Sequence, residues 1–247
     1  MALPAGIVLT IPGPWKDRSE LITSIAGKNM GEAIAAGAIL MDIKGKRHVE
    51  FDTFDHDDAL AKSMQNGSGK VLDAATFAAL EKHTFSAALT FAATGQATAE
   101  RLAFFSGAVR KAGGIAVKVE KSGVAHPWDR WEKLVNENTP HQLHRALMVH
   151  VPIDGRITSF GMTQFDLPDA SLPDVAASAG KPMEFQNTLA EFNIYRWTEK
   201  PTLQSGHTFS LAQDSTRFRM QLVKDTRYPA DHHFTNPHGL WELTPVG

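Results

Sequence analysis

Apolar and polar positions along the chain switch between a period of two and a period near 3.6, and the switches mark out the elements. Residues 5–11, AGIVLTI, form an unbroken apolar run closed by PGPW, as expected of a buried strand ending in a turn. Asp17 with Glu20 three residues later has capping spacing, and Leu21, Ile22 and Ile25 supply an apolar stripe, so a helix is predicted next. AGAILMDI and RHVEFDTF read as a hairpin joined across KGK, with His48, Glu50 and Asp52 alternating against Val49, Phe51 and Thr53. DHDDALAKSM reads as a helix with an acidic first turn, and DAATFAALEKH, from Asp73, as another.

The middle of the chain reads as a β-α-β unit. FSAALTFA at 85–92 is a strand, TAERLAFFSGAVRKA at 98–112 a helix, and GIAVKV at 114–119 a second strand. Leu102, Phe105, Val109 and Ala112 keep helical spacing, Arg101, Arg110 and Lys111 lie opposite, and Gly113 and Gly114 follow the helix. PWDRWEKLVN at 127–136 predicts a short helix. LHRALMVHVPIDGRITSFGM predicts a hairpin turning at Asp154 and Gly155. FDLPDASLPDVAASAGKP, residues 165–182, has no clear periodicity, and the 163–181 loop reads as a surface arm or connection. PMEFQNTLAEFNIYRW at 182–197 is helical, with Phe185, Leu189, Phe192 and Tyr195 on one face; STRFRMQLVKD and GLWELTP read as closing strands.

Composition narrows the class. With 43% hydrophobic and 21% charged residues, the 247-residue chain is neither disordered nor fibrous. The formal net charge is −2 and the longest basic cluster is KGKR at 44–47, which argues against nucleic acid as the main partner. No cysteine is present, excluding disulfides, thiolate catalysis and cysteine-based zinc sites. The run AIAAGAILM at 33–41 falls well short of the ~20 residues that span a bilayer, so no membrane association is expected. The N-terminal MALPAGIVLTIPGPW has no positively charged leader, and a cytoplasmic location is expected.

Candidate chemistry centres on DHHFTNPHGLWEL at 231–243, which holds three of the eleven histidines. Asn236, Pro237, His238 and Gly239 match the preferences of a type I turn, after which Trp241 and Leu243 should point to one side of a strand and Leu240 and Glu242 to the other. The competing reading is a metal site of Asp231, His232 and His238, with a carboxylate such as Asp55 or Asp57 nearby, serving metal-assisted hydrolysis. His232 and His233 are adjacent and, in an extended segment, would face opposite sides. His141, His144 and His150 are placed on or near one strand, too far apart to cluster, and His83 and His126 fall at element boundaries.

Motifs that chemistry would require do not occur: neither GxSxG, GxxxxGK[ST], GxGxxG nor HExxH is found, and NGSGK at 66–70 is too short for a phosphate loop. No catalytic residue and no cofactor is therefore assigned. Trp128, Trp131, Phe160 and Phe165 are the candidates for lining a binding groove, against the plainer reading that they are core.

Several segments together carry a family likeness: KHTFSAALTFAATGQATAERLAFFSGAVRKAGGIAVKVEKSGVAHPWDRW, FGMTQFDLPD, LAEFNIYRW with LQSGHTF, and NPHGLW. They resemble a bacterial domain-of-unknown-function family, number four-two-six-one, through motifs spread over most of the chain. The resemblance implies a small cytosolic bacterial protein, in some members linked to polymorphic-toxin or secretion loci, with no catalytic residues to carry over. Its recurrent positions, His83, Gly113, Gly161, Gly206, Gly239 and Trp241, are mostly turn or packing residues.

The expectation is an α+β fold of mixed sheets with packed helices, one compact unit with a possible subdivision near residue 140 into two ferredoxin-like halves, 1–139 and 140–247. The expected function is a non-enzymatic protein-binding factor, an immunity or accessory protein for a secreted toxin, with the metal-assisted hydrolase as the alternative.

Overall fold

A computed structural model describes residues 6–93, 97–174 and 182–246, the side chains of 97 and 182–186 excepted. The fold is α+β, and the chain divides between Ala146 and Leu147 into two compact units.

In the first unit the strands β1 (Ile7–Gly13), β2 (Ala33–Ala36), β3 (Ile39–Asp42), β4 (Arg47–Asp55), β5 (Phe85–Phe91), β6 (Val117–Val119) and β7 (Ala125–His126) form one sheet in the order β2-β3-β4-β5-β1-β6-β7, antiparallel throughout. The helices are α1 (Arg18–Lys28), α2 (Leu60–Gly67), α3 (Ala74–Glu81), α4 (Ala97–Lys111), α5 (Trp128–Asn136) and α6 (Pro140–Leu147). The β5-α4-β6 segment is a β-α-β unit whose two strands are parallel but not neighbours, because β1 lies between them and runs opposite to both. The central order β4-β5-β1-β6, with α1 and α4 as crossovers, is the split arrangement of a ferredoxin-like sheet. β1 and β5 occupy its middle and are buried almost throughout, which accounts for their unbroken apolar runs.

Local chemistry sets the boundaries. Asp17 Oδ1 accepts the Glu20 N–H at 2.9 Å while Glu20 Oε2 accepts the Lys16 N–H at 2.7 Å, which opens α1. Asp73 Oδ1 accepts the Thr76 N–H at 2.6 Å at the start of α3. The apolar run at 33–41 is folded back on itself at Gly37, whose φ of 55° suits glycine, and so becomes two short strands. α2 departs from the reading of an acidic first turn: it begins at Leu60, and Asp57 instead caps the preceding turn by accepting the Ala59 N–H. His141 and His144 lie on α6 rather than on a strand, since the apolar period there is helical and only Val149 onward is extended.

In the second unit β8 (Val149–Ile153), β9 (Arg156–Phe160), β10 (Asp169–Pro173), β11 (Thr208–Phe209), β12 (Arg217–Val223) and β13 (Leu240–Val246) form a mixed sheet in the order β11-β12-β13-β10-β9-β8, with only β10 and β13 parallel. A single long helix, α7 (Pro182–Glu199), packs Leu189 and Phe192 on Ile157, Ala170, Leu172, Phe218, Met220, Trp241 and Leu243. This arrangement does not repeat the first unit's strand order. The segment read as an aperiodic arm holds β10, a central buried strand: DASLP alternates too briefly, between prolines, to register as a strand pattern. Residues 175–181 of that arm, and the side chain of Phe185, lie outside the described residues. Among the described residues no helix is long and apolar enough to cross a membrane.

Candidate recognition loop

The connection from β12 to β13, residues 224–239, is held by buried charge. Arg227 donates from Nε to Asp225 Oδ1 at 2.8 Å and from Nη2 to Asp225 Oδ2 at 2.7 Å, and Nη2 also reaches Asp169 Oδ2, at the start of β10, at 3.0 Å. Asp225 Oδ2 accepts the Asn236 N–H at 2.8 Å, and Asn236 Nδ2 donates to the Leu167 carbonyl at 2.9 Å, so both ends of the loop are tied to one knot. The Arg227 guanidinium lies 4.4 Å from the ring centre of Phe160, which is buried beneath it.

The carboxylates of the knot are shifted in opposite directions. Burial works to raise the Asp225 carboxyl, but the hydrogen bonds from Arg227 and the Asn236 N–H outweigh it and hold the group below its ordinary value. Burial pushes Asp169 up to about 6 against the opposing pull of Arg227. Arg196, wholly buried on α7, is lowered by burial to about 9; its Nη1 donates to the Pro168 carbonyl at 2.7 Å.

Above the knot stands an aromatic ladder. Tyr228 stacks on His232 with ring centres 4.5 Å apart and planes 12° from parallel; His232 stacks on His233 at 4.5 Å, and His233 meets Phe234 at 4.0 Å. Phe160 supports Tyr228 and Phe234 at 6.2 and 5.8 Å. Tyr228, His232 and Phe234 are half-buried and His233 is exposed, so the ladder lies partly open at the surface. His232 Nδ1 accepts the Phe234 N–H, and Thr235 Oγ1 donates to the Pro229 carbonyl, which orders the turn internally. The stacking of His232 on His233 departs from the opposed orientation expected of an extended segment, because residues 231–234 form a turn that gathers successive side chains on one side.

Asn236, Pro237, His238 and Gly239 make the anticipated turn. Gly239 donates its N–H to the Asn236 carbonyl at 3.0 Å, and the Asn236 side chain accepts the His238 N–H. Trp241 and Leu243 then enter the core. The alternative metal set does not assemble: among the described residues no group of three His, Cys, Asp or Glu side chains comes together to hold an ion, Asp231, His232 and His238 included. His238 faces Asp166 at 3.8 Å instead, and Asp55 and Asp57 belong to the first unit.

The four aromatic candidates are divided between the units. Trp131 is fully buried in the first, donating from Nε1 to Ser106 Oγ at 2.8 Å, and Trp128 donates to the Gly114 carbonyl at 2.6 Å. In the second, Phe160 underlies the ladder and Phe165 packs on Trp197 at 4.7 Å. Phe160 touches the loop at Arg227, Tyr228 and Phe234. Asp169 carries no local signal, since its partner Arg227 is 58 positions away in the chain.

His56 and His83, far apart in sequence, form a second cluster in the first unit, with ring centres 4.4 Å apart. His56 lies 2.6 Å from the His83 carbonyl through Nδ1 and 2.8 Å from Asp58 through Nε2, contacts that raise its pKa, the Asp58 bond foremost. His83 Nε2 accepts the Asp57 N–H, so this pair secures the β4 to α2 turn.

Comparison with protein-family models, curated proteins and solved structures yields no match.

Proposed function

We propose that the protein is a non-enzymatic protein-binding factor that presents the 228–238 loop to a protein partner, the part an immunity or accessory protein plays towards a secreted toxin. The observation that carries this reading is the half-exposed ladder of Tyr228, His232 and Phe234 on a loop tied at both ends by Arg227, Asp225 and Asn236. Aromatic rings held rigid before binding give contact area with little ordering cost, which is how binding hot spots are built. The resemblance to a bacterial family linked in part to toxin loci points the same way.

The test is site-specific. A photo-crosslinking residue at His233 should trap one protein from the native lysate, and the purified pair should bind reversibly. Tyr228→Ala and Phe234→Ala should each weaken that complex by roughly tenfold or more. A trapped partner whose affinity is indifferent to both substitutions overturns the reading.

A further inference from the structure

The second sheet has two edges, and they are not alike. β8 carries Pro152, which has no N–H to offer, whereas β11 is without proline and, among the described residues, no strand pairs with its outer side. The register of β11 sets Thr208 beside Arg219 and Phe209 beside Phe218; carried one step further, it sets Ser210 beside Arg217.

The two faces of this edge therefore offer different chemistry. On one face Phe209 stacks with Tyr195 at 6.0 Å and meets Phe192 edge-on at 5.0 Å; at the edge itself lies a cleft of about 830 Å³ lined by Tyr195, Leu203, Phe209 and Met220 together with the polar Thr208 and Ser210. On the other face Arg217 and Arg219 are exposed, and only the short side chains of Thr208 and Ser210 separate them from the next strand position outward. Strands lie about 4.8 Å apart, so a strand added beside β11 would run about 10 Å from β12, a gap that an extended arginine and a facing glutamate close between them.

We propose that β11 is the docking edge for an extended segment of a protein partner with acidic residues at alternate positions and apolar residues between them. Added as a further strand, such a segment would turn its carboxylates to Arg217 and Arg219 and its apolar side chains into the Tyr195–Phe209 cleft, while main-chain hydrogen bonds supply affinity. A basic segment would set cations against both arginines. This site goes beyond the loop reading and shares no residue with it.

The test uses the full chain and a fluorescein-labelled, acetylated peptide of alternating glutamate and leucine, followed by fluorescence anisotropy. Saturable binding that weakens with added salt is expected, with the combined Arg217→Glu and Arg219→Glu variant binding roughly tenfold or more weakly at an unchanged thermal midpoint. The same peptide N-methylated at alternate residues should lose its affinity, because it can no longer pair with the edge. Tyr228→Ala and Phe234→Ala should leave peptide binding unchanged, which separates this proposal from the loop's partner. Equal binding by a lysine-for-glutamate peptide, indifference to the arginine reversal, or no binding at millimolar peptide would overturn it.

Discussion

Arg227 grips Asp225 at two points, Nε to Oδ1 at 2.8 Å and Nη2 to Oδ2 at 2.7 Å, and lends the same Nη2 to Asp169 at 3.0 Å. One guanidinium thus compensates two carboxylates that are themselves shut away from water. Arg227→Met would take the bonded cation from both, leaving Asp169 only the more distant charge of Arg196, and should lower the stability of the second unit by about 3–5 kcal/mol, the usual cost of removing one partner from a buried pair. Urea unfolding followed by Trp fluorescence measures this; an unmoved midpoint would show that the knot is not what holds the loop.

Asp169 gives the second unit a pH dependence of definite sign. Its folded pKa, about 6, stands above its ordinary value of 3.8, so its contribution is fully present below about pH 4 and is lost as the pH rises to about 6. His150, lowered by burial from 6.5 to about 4, acts oppositely: its contribution is lost as the pH falls from 6.5 to 4. Asp169→Asn removes the first effect and should leave a stability that climbs more steeply with pH across this window. Unfolding curves from pH 4 to 7 that superimpose in shape for the variant and the wild type would contradict the assignment.

In the first unit the same reasoning applies to His126. Its Nε2 lies 2.9 Å from the Ala146 carbonyl and its ring beside Trp131, and burial lowers its pKa from 6.5 to about 4. The unfolded chain binds the proton and the folded chain refuses it, so acidification from pH 6.5 to 4 should cost this unit about 3 kcal/mol. His126→Gln should flatten the dependence, as read by thermal unfolding at a series of pH values.

Gly239 closes the turn of the recognition loop at a φ of 96°, where a Cβ would stand 2.6 Å from the Val223 carbonyl oxygen. Gly239→Ala should destabilise by more than the ~1 kcal/mol of an ordinary glycine-to-alanine strain and displace β13 against β12. Amide exchange at Leu240 and Trp241 would report the displacement; unchanged protection there would count against it.

Trp131 separates a core role from a groove role. It is fully enclosed and donates to Ser106, so Trp131→Ala should cost about 3–5 kcal/mol of folding stability, the range for emptying a buried aromatic site. A well-folded variant with an unchanged midpoint would return the residue to the binding surface.

Elements whose cause is local were legible in the chain. Asp17 with Glu20, Asp73 with Thr76, the Asp154–Gly155 hairpin and the Asn236 to Gly239 turn each contain their own hydrogen-bond partners within a few residues, and each occurs where the pattern predicts it. Periodicity likewise exposes β1, β5 and α7, because burial on one or two faces is written directly into residue type. β10 escaped because the four residues between Pro168 and Pro173 are too few to show a period, and α6 because its histidines adjoin a true strand.

What only the tertiary structure decided is which distant groups meet. Asp169 and Arg227 become partners because parallel pairing of β10 with β13 brings the loop before β13 down upon the start of β10. His56 and His83 meet because β4 and β5 pair side by side. The exposed cations of β12 and the Phe209–Tyr195 contact fall on opposite faces of one edge only once β11 is registered against β12. Main-chain pairing fixes such meetings across tens of residues, and side-chain type along the chain records burial and turning but not the register that brings two charges together.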